Sequence, residues 1–95
     1  MIIITGKAKV APQHREAILK IGREQVRNSR AEAGCLSYAM YEEVDAPDTF
    51  FFYEEWRDQA AVDFHFKQDY CLAFIAKARE LAIGEPQIVI RTVAD

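Results

Sequence analysis

The segment from Thr49 to Tyr70 carries most of the aromatic side chains of this 95-residue chain, and it constrains the fold more than any other. It holds five of the six Phe, two of the four Tyr, the only Trp and one of the two His. Such a segment either builds a core or lines a pocket for a flat ligand. Its first part alternates like a strand, with Phe50, Phe52, Glu54 and Trp56 on one face and Phe51, Tyr53 and Glu55 on the other.

Three more segments have the β-branched or alternating residues of strands: 2–10, 35–44 and 87–93. In residues 35–44 neither face is polar. One face carries Leu36, Tyr38, Met40, Glu42 and Val44, and the other carries Cys35, Ser37, Ala39, Tyr41 and Glu43. We therefore expect both faces to be partly covered, one by helices and the other by a second subunit or a ligand.

Helices are predicted over three segments: residues 12–30, 59–66 and 69–82. Asp58 is expected to cap the second helix, and Gly84 to take the left-handed conformation that ends the third. Gly22 falls within the apolar face of the first helix, which indicates a close approach to the sheet. The inward side of the third helix is expected at Leu72, Ile75, Ala76, Arg79 and either Ala78 or Leu81.

The order of elements is β-α-β-β-α-β, the last helical region being in two pieces, with no linker or internal repeat. It predicts one α+β domain, residues 1–95, with the ferredoxin-like arrangement of an antiparallel sheet and helices on one face. The other sheet face would then expose a large patch bearing Tyr, Phe, Met and Cys. We expect a homodimer that packs the two open faces together.

Composition excludes several partners. A net charge of -3 and a pI near 5.4 argue against nucleic acid, and the arginines of the first helix read as a solvated face. No segment has the roughly 20 apolar residues of a membrane span, and residues 1–10 do not resemble a signal peptide. Cys35 and Cys71 have neither metal nor disulfide spacing, so we expect a cytoplasmic protein with reduced thiols.

Several motifs give the chain a family resemblance. They are Gly34-Cys35-Leu36-Ser37-Tyr38 at the start of the second strand, Tyr53-Glu54-Glu55-Trp56 at the end of the third, and Ala61 through His65 on the next helix. With Gly84, Pro86 and the closing strand, these resemble the antibiotic biosynthesis monooxygenase family, which includes quinol monooxygenases. The resemblance extends over essentially the whole chain and implies a dimeric α/β barrel assembly that acts on small aromatic or quinol-like substrates.

The chain departs from the family pattern in two ways. Many members have a second His five residues after the first, where this chain has Tyr70. The haem-degrading relatives use an Asn on the first strand and a His on the last helix, and residues 2–10 and 69–82 contain neither. Haem chemistry is therefore not expected, and the resemblance implies activity without a cofactor or metal.

The candidate catalytic residues are His65, Trp56 and Tyr70. His65 can take a proton from a phenol and return it, while a structural role bridging to Glu54 is the alternative. Trp56 can wall a pocket and donate its indole N–H, although core packing is the simpler interpretation. The candidate substrate-binding residues, each of which can equally belong to the core, are Tyr41, Met40, Phe52, Glu54 and Phe74.

Cys71 stands at the start of the third helix, where the helix N-terminus lowers a thiol pKa, but an inert structural thiol is preferred. Three functions remain open. The first is cofactor-independent oxidation of a quinol or polyphenol by O₂, with His65 as base. The second is isomerase or cyclase chemistry on a sugar-like or polyketide substrate. The third is a non-catalytic binding module.

Overall fold

The computed structural model describes residues 1–94. Its elements are β1 (Ile2–Lys9), α1 (Arg15–Arg30), β2 (Cys35–Glu42), β3 (Thr49–Trp56), α2 (Gln59–His65), α3 (Asp69–Leu81) and β4 (Gln87–Thr92). A 3-10 turn at Pro12–His14 precedes α1, so the α-helix itself starts later than predicted. The other predicted ends are correct to within two residues, because proline, glycine and capping residues mark them locally.

The four strands form one antiparallel sheet in the order β2-β3-β1-β4, and the helices cover one of its faces. This is the predicted ferredoxin-like α+β fold. In the centre of the sheet Ile4 lies opposite Glu54 on one side and Ile90 on the other. The helix-facing side chains of β1 and β3 are therefore adjacent, and they form the floor beneath the helices.

The core consists of two neighbouring clusters between the sheet and the helices. One is centred on Trp56, Tyr38 and Phe52, and the other on Phe50, Ile18 and Leu81. Met40 and Phe74 contact both clusters. The face predicted for β3 is confirmed, because the side chains pointing toward the helices are all buried: Phe50, Phe52, Glu54 and Trp56.

The face assignment for the start of β2 was wrong. Cys35 pairs with Trp56 while Ser37 pairs with Glu55, so a β-bulge inserts one extra residue between them. Leu36 occupies this bulge and is 56% exposed, whereas Cys35 packs against the core. From Tyr38 onward the predicted alternation holds. A bulge reverses the alternation locally, and no residue in this segment is a sequence signal that predicts it.

The helix layer leaves β4 uncovered. All six residues of β4 are exposed, and Ile88 and Ile90 are exposed although they face the helix side of the sheet. The inward side of α3 differs from the prediction in part. Ala78 and Leu81 are buried as expected, together with Cys71, while three residues predicted to face inward are exposed: Leu72, Ala76 and Arg79. The helix is rotated toward α1, which it contacts more extensively than the sheet.

Two glycines lie at close approaches, and one of them yields a stability prediction. An added Cβ on Gly22 would meet the flexible end of Met40 and lie 3.4 Å from Phe52 Cζ, which confirms the predicted close approach to the sheet. An added Cβ on Gly34 would lie 2.3 Å from the Cβ of Ala61 on α2. Gly84 has the predicted left-handed φ of 75°, but it lies in the loop beyond Leu81 rather than at the end of α3.

Gly34→Ala should destabilise the fold by about 1–3 kcal/mol, because α2 is backbone-anchored and cannot move aside cheaply. Urea denaturation would measure the change. The double variant Gly34→Ala with Ala61→Gly should recover part of the loss, less about 1 kcal/mol for glycine within a helix. Equal destabilisation by the single and double variants would show that the Gly34–Ala61 contact is not the cause.

Candidate active site

His65 is the centre of the candidate site. It is the last residue of α2, whose start is fixed by Asp58, since the Asp58 carboxylate accepts from the Ala61 backbone N–H at 2.9 Å as predicted. The imidazole is 1% exposed and lies on the Trp56 indole, with ring centroids 4.3 Å apart. The helix end and the strand end thus hold the two rings against each other.

A carboxylate on the α1–β2 turn fixes the orientation of the imidazole. Glu32 Oε2 lies 2.7 Å from His65 Nδ1, and the same oxygen accepts a short hydrogen bond from the Tyr70 hydroxyl. Ser29 Oγ lies 3.5 Å from that hydroxyl. Burial, followed by the bond to Glu32, raises the pKa of Tyr70 well above its usual range. Tyr70 therefore acts as a neutral hydrogen-bond donor to Glu32.

The Glu32 contact determines which ring nitrogen is available for chemistry. A carboxylate only accepts, so Nδ1 carries the hydrogen of a neutral imidazole and Nε2 keeps its lone pair. Nε2 lies 3.4 Å from Cys71 Sγ and 4.0 Å from Glu54 Oε1. His65 thus directs Nε2 toward the Cys71 thiol and Glu54, in the space between α3 and the sheet.

Glu54 is a second ionisable group in this space. Its Oε1 accepts from Trp56 Nε1 at 2.9 Å. Burial raises the pKa of Glu54 to about 7, although the hydrogen bonds of Trp56 and Tyr38 lower it. Glu54 therefore changes charge close to neutral pH, which is the range in which a side chain can exchange protons with a substrate.

Cys71 completes the group around the imidazole. The thiol is 1% exposed, and Gln25 Nε2 lies 3.6 Å from Sγ and 3.3 Å from the Tyr38 hydroxyl. This environment agrees with the preferred prediction of an inert thiol and not with the alternative of a thiol whose pKa the helix start lowers. Burial raises the pKa of Cys71 to about 11, because removal from water outweighs the helix N-terminus.

A cavity of about 70 Å³ lies between α3 and the sheet, and its walls are almost entirely apolar. Its polar lining includes Gln25, Tyr38, Glu54, His65 and Cys71, with the cations Lys7 and Arg79. Pro86 and the exposed Ile88 also border it. Pockets that hold whole ligands usually measure several hundred Å³. An aromatic substrate would therefore have to displace α3 or the loop before β4, where the cavity is bordered by exposed side chains.

The structure brings most of the predicted site residues together. His65, Glu54, Phe52 and Phe74 line the cavity. Trp56 lies beneath His65, and Tyr70 reaches it through Glu32, so these two support the imidazole from outside the cavity. Met40 and Tyr41 lie elsewhere, in a groove between α1 and the edge strand β2, and Tyr41 is 56% exposed.

Sequence reasoning missed Glu32 as a partner of His65, and with it Gln25 and Tyr38 as polar groups of the cavity. Glu32 is an ordinary turn residue, and it is 33 positions from His65. Gln25 lies on the buried face of α1, together with Ile18 and Gly22. A buried glutamine within an apolar face was the one available signal, because a buried amide requires hydrogen-bond partners.

Comparisons with known proteins identify the family of the chain. The profile of the antibiotic biosynthesis monooxygenase family matches residues 1–77 of the chain. The chain belongs to the antibiotic biosynthesis monooxygenase family. The match includes β1 through most of α3, and hence Gln25, Glu32, Glu54, His65 and Cys71.

Two curated proteins are similar over almost the whole chain. One, from Bacillus subtilis, is named "Putative monooxygenase YcnE"; it is 38% identical over 92 residues, which is 97% of this chain and 96% of that protein. The other is an uncharacterized protein of Synechocystis, 34% identical over 94 residues. This chain spans 64% of the length of the Synechocystis protein.

A solved structure of an antibiotic biosynthesis monooxygenase has the same fold. It superposes over the whole of both chains with a TM-score of 0.91 and 24% sequence identity, which establishes the shared architecture alone. Within residues 1–94, no helix is long and apolar enough to cross a membrane, and no group of three or more acidic, His or Cys side chains is arranged to hold a metal ion.

Proposed function

We propose that the protein is a monooxygenase that oxidises a small quinol or polyphenol with O₂, with His65 Nε2 as the base. The observation that carries the proposal is the orientation of His65. Its Nδ1 is held by Glu32, and its Nε2 lies beside Cys71 and Glu54, which line the apolar cavity together with His65. A deprotonated quinol is electron-rich enough to reduce O₂ directly, so the protein needs only to bind, deprotonate and shield it.

The reaction balances without an external reductant. A quinol with a free ring position and one O₂ give a hydroxyquinone and one water, so the substrate supplies all the electrons. His65 takes the first phenolic proton, and Glu54, with its pKa of about 7, is placed to exchange a second. The apolar walls exclude water and strengthen the electrostatic effect of both groups on the bound phenolate.

Oxygen uptake with a panel of naphthoquinols and catechols tests the proposal. The protein should accelerate uptake at one O₂ per substrate, in buffer with chelator and without added cofactor, and ¹⁸O₂ should label the organic product. Catalase identifies the background of spontaneous quinol oxidation. That background reaction forms peroxide, from which added catalase releases O₂, so it lowers the apparent O₂ uptake. Absence of acceleration across the panel would contradict the proposal.

A second candidate uses the same base without O₂. His65 Nε2 and Glu54 Oε1 lie 4.0 Å apart, so one group can take a proton while the other returns one. This arrangement also suits isomerisation or cyclisation of an enolisable carbonyl substrate. Product formation under argon would select this alternative. A non-catalytic binding role would instead be indicated by ligand binding without turnover in either atmosphere.

We also propose that two copies of the chain pack through their open sheet faces. The face opposite the helices exposes Phe51 and Val89, with Ile3 and Tyr53 half-buried. Registers place these side chains on adjacent strands, since Ile3 lies opposite Glu55 and Tyr53 lies opposite Thr5. Charged side chains lie among them, since Lys7 is opposite Phe51 and Glu55 is opposite Ile3. The Met and Cys expected on this face are not there, because Met40 and Cys35 pack against the core on the helix side. Exposed apolar side chains on an open sheet face, bordered by charged ones, are typical of an interface.

Light scattering should therefore give twice the monomer mass of 10.9 kDa at micromolar concentration. Phe51→Asp should shift the protein toward monomer, because it would bury a charge at the proposed interface. Leu72→Asp is the matched control, since Leu72 is similarly exposed but lies on α3 on the other side of the sheet. A wild-type monomer, or equal dissociation by both variants, would contradict the interface.

A further inference from the structure

Cys71, His65 and Glu32 form a line of three groups. Cys71 Sγ is 3.4 Å from His65 Nε2, and His65 Nδ1 is 2.7 Å from Glu32 Oε2. A thiol, an imidazole and a carboxylate in this order are the parts of an activated nucleophile, in which the carboxylate orients the base and the base removes the thiol proton. We propose that Cys71 adds covalently to α,β-unsaturated carbonyl compounds of the quinone type that enter the cavity.

The position of Cys71 in the cavity lining supports its proposed reactivity toward a bound electrophile. Cys71 and His65 both line the cavity, so a molecule inside it meets the sulfur and the base together. The thiol is protonated at neutral pH, since burial raises its pKa to about 11. Its reactivity therefore depends on proton transfer to His65 once an electrophile is bound. The other titratable groups near the sulfur are Glu54, Glu32 and the hydroxyls of Tyr38 and Tyr70, and the Gln25 amide is neutral.

A buried acceptor indicates what the cavity can hold. Gln25 is 2% exposed, and within residues 1–94 its Oε1 has no hydrogen-bond partner, although its Nε2 approaches both Tyr38 and Cys71. A buried carbonyl oxygen without a donor is costly. Hydroxyl groups of a quinol, or of a quinone after thiol addition, are donors that can satisfy this oxygen.

The addition is balanced without a further reagent. The Cys71 proton passes to His65 Nε2 while sulfur forms a bond to the β-carbon of the electrophile. The π electrons of the C=C bond move to the carbonyl oxygen, which gives an enolate, and His65 returns the proton. For a quinone, the proton on the sulfur-bearing ring carbon then moves to the second carbonyl oxygen. The product is a hydroquinone thioether, and the protein gains the whole mass of the quinone.

Intact-mass measurements with one equivalent of 1,4-benzoquinone test the proposal, because the chain has two cysteines that can be compared. In Cys35→Ser protein only Cys71 can form the thioether, and in Cys71→Ser protein only Cys35 can. Cys71 should react at least about tenfold faster, although it is the more buried thiol. Adding His65→Gln should slow Cys71 about 100-fold and leave Cys35 unchanged.

The pH dependence provides a test in which His65 is intact, so it does not depend on how the variant folds. With base catalysis the rate at Cys71 should level off well below pH 11, and without it the rate should rise tenfold per pH unit. A faster reaction at Cys35, or a tenfold rise per unit across pH 6–9 at Cys71, would overturn the proposal. The result is independent of O₂ uptake, so this proposal and the monooxygenase proposal can fail separately.

Discussion

His65→Gln should lower kcat for quinol-dependent O₂ uptake by about 10²–10⁴-fold, the usual contribution of a positioned general base. Glutamine keeps a polar side chain that can still donate to Glu32, but it offers no titratable nitrogen to the cavity. The effect should fall on kcat more than on KM, because the apolar walls that bind the ring remain. Stopped-flow measurements of oxygen uptake by the wild type and by His65→Gln, at equal concentrations of folded protein, would compare their kcat and KM values.

The second histidine serves as the control. His14 lies at the end of the 3-10 turn before α1, and it does not line the cavity. His14→Gln should leave kcat and KM unchanged. If His65→Gln retained the wild-type rate while remaining folded, the proposed base would be wrong, whereas equal losses in both variants would point to an effect on the fold.

Glu54→Gln should make the protein more stable at pH 8 than wild type, by up to roughly 3 kcal/mol. The folded state raises the pKa of Glu54 from 4.5 to about 7. Between these values the folded protein holds a proton that the unfolded chain releases, so the free energy of unfolding falls as pH rises through this window. One pKa unit corresponds to about 1.4 kcal/mol, and a neutral amide avoids the loss entirely.

Urea denaturation at pH 5 and pH 8 would measure this difference. The stability gain of Glu54→Gln over wild type should be small at pH 5 and largest at pH 8, because only the wild-type carboxyl ionises between these values. The amide oxygen can accept from Trp56 Nε1 at both pH values. Glu55→Gln, on the opposite face of β3, is the matched control, and its effect should not grow over this range. A constant difference between Glu54→Gln and wild type would contradict the raised pKa.

Most of the fold could be predicted from the sequence, because its signals are local. The alternation in residues 49–56 gave the buried face of β3, and Asp58 marked the start of α2. The bulge at Leu36 and the exposure of β4 could not be predicted in this way. Both depend on how distant elements meet: the pairing of β2 with β3, and the width of a sheet that its single helix layer does not fully cover.

The candidate site was predictable only in part, and for the same reason. Glu54, Trp56 and His65 lie close together in the chain, and their spacing also carries the family resemblance. Glu32 acts on His65 from 33 residues away, and Gln25 reaches Cys71 across 46 positions. Tyr70 was considered as a replacement for a second imidazole, yet it donates to Glu32 and does not line the cavity.

Nitrogen-15 NMR of the His65 imidazole during titration with 2-naphthol, a phenol that mimics the substrate, tests the central claim most directly. The free protein should show a protonated Nδ1 and an unprotonated Nε2, and binding should shift the Nε2 resonance strongly while Nδ1 keeps its hydrogen bond to Glu32. Naphthol binding without a change at Nε2, or a free protein with the hydrogen on Nε2, would contradict the assignment of His65 as the base.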